Sequence, residues 1–423
     1  MTQYLTMPMQ YELGLNAKPF HTPDHRVIVL WGMGFAMENN QNNSNGLKQV
    51  EMSLPSSWYS DPSHHRKEEA HIWQADWVYL CHGSALVKPR QYQTLTIGNQ
   101  PVVVVRDEDG MLRGYYNTCR HRGSALCLAQ SGRLDANALV CPYHQWSFRL
   151  NDGSLAATTS FTEPEGFNKS DYPLFPIAVQ EWRGAIFVNL DPNAAWDVDS
   201  LFQRSANGLS RFPLEEMKVG KTWSKMINCN WKLFWENFNE CLHCPNIHPE
   251  LAALVPLYSR RIINKMDVPD WEDHEDSNDP LYRGGLRSGA ETWSKDGSAQ
   301  GHVISSLSHE EITRGQLYAS AWPSMFIAGY ADHVRIVRVL PKGTTQTEIT
   351  AEWLFEEQTL NNPQYDMANV VDFATLVMDQ DGEACEMNQL GLNAQPFTEG
   401  VLMPEEYLLK RFHDWVRDKL NSA

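Results

Sequence analysis

The chain lacks any apolar run approaching the roughly 20 residues that cross a bilayer. The one stretch resembling a signal-peptide core, Val27 to Ala36 (VIVLWGMGFA), lies behind Asp24, His25 and Arg26 with no small-residue cleavage pattern after it. A cytoplasmic protein with no membrane partner is therefore the expectation. Positive charge is also short: 35 Lys and Arg stand against 52 Asp and Glu, a net charge of −17, which argues against a nucleic-acid partner. Eight cysteines in 423 residues are too few for a disulfide scaffold. No internal repeat is visible. What remains is a chain 42% hydrophobic, enough for sizeable cores and long enough for two or three domains.

Four residues of metal-binding type arrive in two short groups, Cys119-Arg120-His121 and Cys141-Pro142-Tyr143-His144. Each group gives one sulfur and one ring nitrogen, and together these donors suit zinc or an iron–sulfur cluster. Mixed-ligand zinc sites pair C-x2-4-C with H-x3-5-H, and neither group has that form. In a Rieske [2Fe–2S] centre one iron takes both Cys and the other both His. That arrangement matches the spacing best.

A second cluster packs Glu240, Cys241, His243, Cys244 and His248 into nine residues. Cys241-x-x-Cys244 reads as a zinc or redox pair only beside a second pair or a thioredoxin-like context, and the sequence offers neither. Read as a helix from Trp231 to Leu242 carried on to His243, the segment sets Glu240 and His243 on one face, and Pro245 lets His248 turn back toward them. Two His and one carboxylate with open positions form the facial triad of non-haem Fe(II) oxygenases; structural histidines are the alternative. The carboxylate is sought in Phe373–Leu392. There Asp381 shares the apolar stripe of Val377, Ala384 and Cys385, an expensive place for an acid without a partner or a metal. Asp379, aligned with Glu383 and Glu386 on a charged face, is the fallback.

Residues 1–47 end in an Asn-rich polar stretch and read as an extension with a linker. Residues 48–79 carry a short helix over Pro62–Trp77. From 80 to 195 short β-rich runs alternate with turns, among them the hairpin signal Asp107-Glu108-Asp109-Gly110, and the first Cys/His pair follows that hairpin directly. Residues 196–423 combine the second cluster with a polar excursion at Asp267–Gly301. Strands follow at Ala319–Gly329, Val334–Leu340 and Glu348–Phe355, then helices at Tyr365–Leu390 and Pro404–Leu420. The fold class expected is α+β, with a small antiparallel β domain preceding a larger domain in which helices cover an antiparallel sheet.

Taken together, Cys119–His144, Glu240–His243–His248 and Asp381-x3-Cys385-Glu386-x2-Gln389-x-Gly391-Leu392 resemble the α subunits of Rieske non-haem iron oxygenases over residues 50–420. The nineteen residues between His121 and Cys141 are a slightly long gap for that family, and Glu240 stands where most members have Asp. Glu at that position, with the text CRHRGSALC, CPYHQWSF and NECLHC, is similar to the branch that oxidises quaternary amines such as choline, glycine betaine, carnitine and stachydrine. The resemblance implies a helix-grip catalytic domain, a [2Fe–2S] cluster on Cys119, His121, Cys141 and His144, and a mononuclear Fe(II) on His243, His248 and Asp381. It implies a homotrimer in which Glu240 bridges His243 to His144 of the next subunit. Electrons would come from NAD(P)H through a separate flavin/ferredoxin-type reductase, and O2 would hydroxylate an N-methyl group. Ring hydroxylation of an aromatic acid and bare electron transfer are the rival activities. Cation–π attraction holds quaternary ammonium groups, so Tyr318 and Trp322 are the candidate substrate contacts, chosen from Trp231, Trp235, Tyr318, Trp322, Phe326, Tyr330 and Trp353. Cys127 is expected to be a free buried thiol. Tyr143 is a candidate donor to the cluster, and Arg120 and Arg122 are candidates for a docking face.

Overall fold

A computed structural model describes residues 46–421 except 204, 264–266 and 268–284. The Val27–Ala36 run, nearly all of the 1–47 extension and much of the Asp267–Gly301 excursion lie outside the described residues.

The chain enters through α1 (Pro62–Glu68), where the Asp61 side chain accepts the Ser63 N–H at 2.7 Å and Pro62 occupies the first turn. The helix stops short of Trp77 and widens into a single π-type turn at Glu69–Trp73. A seven-stranded antiparallel sheet follows, built from β1 (Val78–His82), β2 (Gln91–Ile97), β3 (Gln100–Arg106), β4 (Leu112–Tyr116) and β5 (Ser131–Arg133). After a small antiparallel sheet of β6 (Ala138–Val140), β7 (Ser147–Arg149) and β8 (Leu155–Ala157), β9 (Pro176–Trp182) and β10 (Ala185–Asn189) complete the larger one. Its order is β1-β10-β9-β4-β3-β2-β5. The Asp-Gly hairpin is present, with Val102 to Arg106 paired to Tyr116 to Leu112.

The second half is a five-stranded antiparallel sheet of β11 (Lys218–Ile227), β12 (Leu317–Ala321), β13 (Met325–Gly329), β14 (Val334–Gly343) and β15 (Gln346–Phe355), in the order β11-β15-β14-β13-β12. The single strand expected over Ala319–Gly329 is two, because the chain turns at Trp322-Pro323-Ser324, where proline cannot donate to a ladder. One face of this sheet packs on α2 (Trp231–Phe238), α6 (Met367–Leu392) and α7 (Tyr407–Asn421), and Val337, Val339, Ala351 and Trp353 point that way. The other face, carrying Val334, Ile336 and Leu354, packs on Tyr79 and Phe187 of the seven-stranded sheet. The α+β layout is as expected, and no helix among the described residues is long and apolar enough to cross a membrane.

Three short helices, α3 (Cys244–Ile247), α4 (Pro249–Leu254) and α5 (Pro256–Ser259), follow α2. In α6, Val370, Ala374, Val377, Met378, Cys385 and Gln389 are buried at helical spacing. Gly382 lets this helix approach β11 closely: a Cβ there would sit 3.2 Å from Ile227 Cδ1. A fully buried ion pair, Lys232 to Glu68 at 2.5 Å, joins α2 to α1.

Candidate metal centres

The first pair of ligand groups sits on two loops of one backbone design. Cys119 N–H donates to Ser124 O at 2.8 Å and Gly123 N–H returns to Cys119 O at 2.9 Å. Cys141 N–H donates to Trp146 O at 2.8 Å and Gln145 N–H returns to Cys141 O at 2.9 Å. The fifth position has positive φ in both, 75° at Gly123 and 57° at Gln145, so each loop folds back over its own cysteine. Both sulfurs are buried, while His121 is exposed and His144 half-exposed. The two thiols lie close enough to shift each other's ionisation, and the imidazoles meet edge to face at 4.8 Å. Cys is thus grouped with Cys and His with His, which fits a cluster with one iron on each pair rather than a single ion. Burial disfavours ionising Cys141, yet the N–H groups of His144 and Tyr143 aimed at its sulfur outweigh that and hold its pKa below the usual thiol value. Trp146 stacks on His121 at 4.8 Å. Tyr143 is exposed, with its ring against His144 at 3.7 Å and the Arg122 guanidinium 4.8 Å above it. Arg120 donates to Pro173 O at 2.6 Å and lies over Phe175. Cys127 is a free buried thiol, as expected.

The second site departs from the expected helix. α2 ends at Phe238 rather than Leu242, so Glu240 and His243 are not on one helical face. The Asn239 side chain turns back to Trp235 O at 2.8 Å, and the Glu240 carboxylate takes the Leu242 N–H. Side chains that bond local backbone in this way compete with helix propagation. The contact survives by another route: Glu240 Oε1 accepts from His243 Nδ1 at 2.5 Å. Cys241 and Cys244 are joined in a disulfide across the same turn.

His243, at the entry to α3, His248, between α3 and α4, and Asp381 on α6 converge so that one donor atom from each lies within 4.8 Å of the others. His248 Nε2 is 2.8 Å and His243 Nε2 3.6 Å from Asp381 Oδ1. Each imidazole is held from behind: His243 Nδ1 by Glu240, and His248 Nδ1 by Gln380 Oε1 at 2.8 Å, whose amide donates to Glu250 at 3.2 Å. Such contacts fix the tautomer and leave both Nε2 atoms toward the carboxylate. Burial draws the His243 pKa down, but its hydrogen bonds to the Asp381 and Glu240 carboxylates, which accept from the ring, prevail and raise it to about 9. Burial likewise opposes ionisation of Asp381, whose hydrogen bonds to His243 and His248 still bring it to about 2. Two imidazoles and one carboxylate converging in this way form a donor set that fits a divalent cation. Asp379 lies elsewhere, paired with Lys225 at 2.5 Å.

Of the two candidate substrate contacts, Tyr318 belongs to a buried aromatic group on the same face of the sheet as α2 and α6, with Phe238 at 5.7 Å and Trp293 at 6.5 Å. Trp322 instead packs on Phe412 and Trp415 of α7, at the edge of a cleft it shares with Arg411. Trp231 and Trp235 are core, hydrogen-bonded to Glu68 and Pro323. Gln380, Glu250, Tyr258 and Trp293 were not singled out from sequence. Gln380 had one available signal, its place beside Asp381.

Residues 76–170 match the Rieske [2Fe-2S] domain and residues 214–422 the ring hydroxylating α subunit (catalytic domain). The chain is 29% identical to the glycine betaine monooxygenase oxygenase subunit of Chromohalobacter salexigens, over 89% of this chain and 87% of that protein. It is 34% identical to the carnitine monooxygenase oxygenase subunit of Acinetobacter pittii over 49% of this chain and 55% of that one. Among solved structures, the quaternary ammonium Rieske monooxygenase CntA with bound L-carnitine superposes with a TM-score of 0.66 at 21% identity, covering 90% of this chain and 99% of that one. Naphthalene 1,2-dioxygenase from Rhodococcus reaches 0.67 at 19% identity, covering 88% and 95%.

Proposed function

Because the chain belongs to the Rieske ring-hydroxylating α subunits, we propose that it is the terminal oxygenase that hydroxylates an N-methyl group of a small quaternary amine. The observation carrying this reading is the similarity to glycine betaine oxygenase subunits along nearly the whole of both chains. Cys119, His121, Cys141 and His144 would hold the [2Fe–2S] cluster, and His243, His248 and Asp381 the mononuclear iron. When bound, the cluster supplies single electrons and the Fe(II) activates O2 for insertion into a C–H bond.

The chain's own residues do the rest. Glu240 and Gln380 hold the two imidazoles in one tautomer, so that each Nε2 is free to bind. The buried rings of Tyr318 and Trp293 and the partly buried ring of Phe238 exclude water and offer π faces to a quaternary ammonium group. The half-exposed His144 and the partly buried Glu240 suit a head-to-tail homotrimer, in which Glu240 meets His144 of the partner subunit and connects the two centres. Two electrons from NAD(P)H, relayed by a separate flavin/ferredoxin-type reductase, and two protons reduce O2. One oxygen atom enters the methyl C–H bond and the other leaves as water. The N-hydroxymethyl product then loses a proton and breaks its C–N bond, giving formaldehyde and the tertiary amine. Outside the cluster ligands and the Cys241–Cys244 disulfide, Cys81, Cys127, Cys229 and Cys385 are free buried thiols, which accords with a reducing, cytoplasmic setting.

A screen of quaternary amines and aromatic acids with a surrogate reductase tests this. Oxygen uptake and formaldehyde should rise together with a quaternary amine. Uptake with an aromatic acid and no formaldehyde would overturn the reading.

A further inference from the structure

Arg335 stands in the middle of β14, paired with Trp353 on β15, and so faces α2 and α6 as Val337 and Val339 do. It is 4% exposed. Its Nη2 donates to Tyr330 Oη at 3.0 Å, while Nε and Nη1 are buried with no acceptor. No carboxylate among the described residues forms an ion pair with it. Asp332, three residues before it, is already engaged by Thr292, by His333 at 2.6 Å and by Tyr365 at 3.2 Å. Directly across the ladder, Trp353 is fully buried and its Nε1–H also lacks an acceptor. Paired residues share a sheet face with Cβ atoms about 5 Å apart, so the two side chains that carry the three orphaned N–H donors leave the sheet from neighbouring positions.

Burying a guanidinium without an anion is strongly unfavourable. This one is embedded in the aromatic group already described. The Tyr330 hydroxyl that it meets lies near the Tyr318 hydroxyl, which in turn lies near that of Tyr258. Trp293 lies 5.2 Å from Tyr330 and 6.2 Å from Phe373. Phe373 is eight residues before Asp381 on α6, about 12 Å along the helix. An aromatic wall that suits a quaternary ammonium group thus ends in a cation that lacks its anion.

We propose that Arg335, assisted by the Trp353 Nε1–H, is the anchor for a carboxylate on the substrate. The site is then built for betaines, quaternary amines that carry a carboxylate, in preference to quaternary amines with a neutral end such as choline. The inference rests on the quaternary-amine reading above and narrows it. A planar guanidinium meets a carboxylate through two parallel bonds, which fixes where the N-methyl groups point as well as what binds.

The test uses the full-length holoenzyme, with iron and cluster content checked in each variant. Glycine betaine and choline are compared by ligand-induced shift of the melting temperature and by kcat/KM. Losing one partner of a desolvated charge pair costs 2–5 kcal/mol, so Arg335→Met should lower the betaine-to-choline ratio of kcat/KM by about 30-fold or more, mainly through KM. Arg335→Lys, which keeps the charge without the fork, should fall between the two. Arg335→Met should melt no lower than the parent in the absence of substrate, because it removes a buried charge that has no counter-ion. An unchanged ratio, equal losses for both substrates, or a large drop in melting temperature without substrate would each overturn the proposal. A parent enzyme that binds and demethylates choline but no betaine overturns it while leaving the quaternary-amine reading intact. A parent enzyme that accepts no quaternary amine in the wider screen overturns both.

Discussion

Glu240 Oε1 lies 2.5 Å from His243 Nδ1, although the helix that would have brought them together ends at Phe238. A tight turn closed by the Glu240 carboxylate and by the Cys241–Cys244 disulfide replaces the helical spacing. The carboxylate therefore orients the imidazole from a position partly open to the surface. Its replacement should impair communication between the two centres without emptying either. Glu240→Gln is expected to retain its iron and its cluster spectrum while product formation falls by about 10–100-fold or more. Single-turnover oxidation of the reduced cluster, followed optically, checks this.

The two aspartates of α6 make a sharper contrast. Asp381→Ala should lower bound iron from about three to about two atoms per chain, leaving the cluster in place. Asp379→Ala should keep all its iron and change stability by no more than about 1 kcal/mol, since its pair with Lys225 is solvent-exposed. Iron analysis of the two purified variants separates them.

The buried Lys232–Glu68 pair ties the entering helix to the second half of the chain. Removing one partner leaves an uncompensated charge, so Glu68→Gln should destabilise by about 3–5 kcal/mol. The double variant Glu68→Leu with Lys232→Met should recover most of that loss. Urea unfolding of the three proteins measures it.

Acid stability should depend on His82. Its Nε2–H donates to Leu214 O at 3.0 Å, and its Nδ1 meets the Ser84 N–H at 3.2 Å and the Ser84 hydroxyl at 2.9 Å. Burial holds its pKa down to about 4. The neutral ring is the folded form, and its contribution is complete above the unfolded value of about 6.5 and is lost as the pH falls from there through about 4. Between about pH 7 and pH 5 this amounts to roughly 2 kcal/mol. His82→Gln should flatten that part of the stability profile, read from urea midpoints.

The candidate ligands of both centres were legible because each set is carried by local spacing or by one acid on an apolar stripe. Cys119, His121, Cys141 and His144 announce themselves in two loops, and Asp381 stands out against Val377 and Cys385. The end of α2 was hidden, since the side-chain contacts of Asn239 and Glu240 that stop it are tertiary choices within a sequence of adequate helix propensity. Gln380 gave little sign of its role, because its partner His248 is 132 residues away. Arg335 was hidden for another reason. Val334 to Leu340 is buried on both faces, so the inside–outside alternation that would show where an arginine points is absent.

His248 and Asp381 are 133 positions apart in the chain, yet their donor atoms are 2.8 Å from each other. An ion bound between them would act as a cross-link closing that long loop, and the entropy that it removes from the unfolded chain grows with loop length. Metal occupancy and tertiary structure are then one equilibrium. Chelation should loosen the contact between α3 and α6 before it disturbs either sheet, and amide exchange at the start of α3 would register it first.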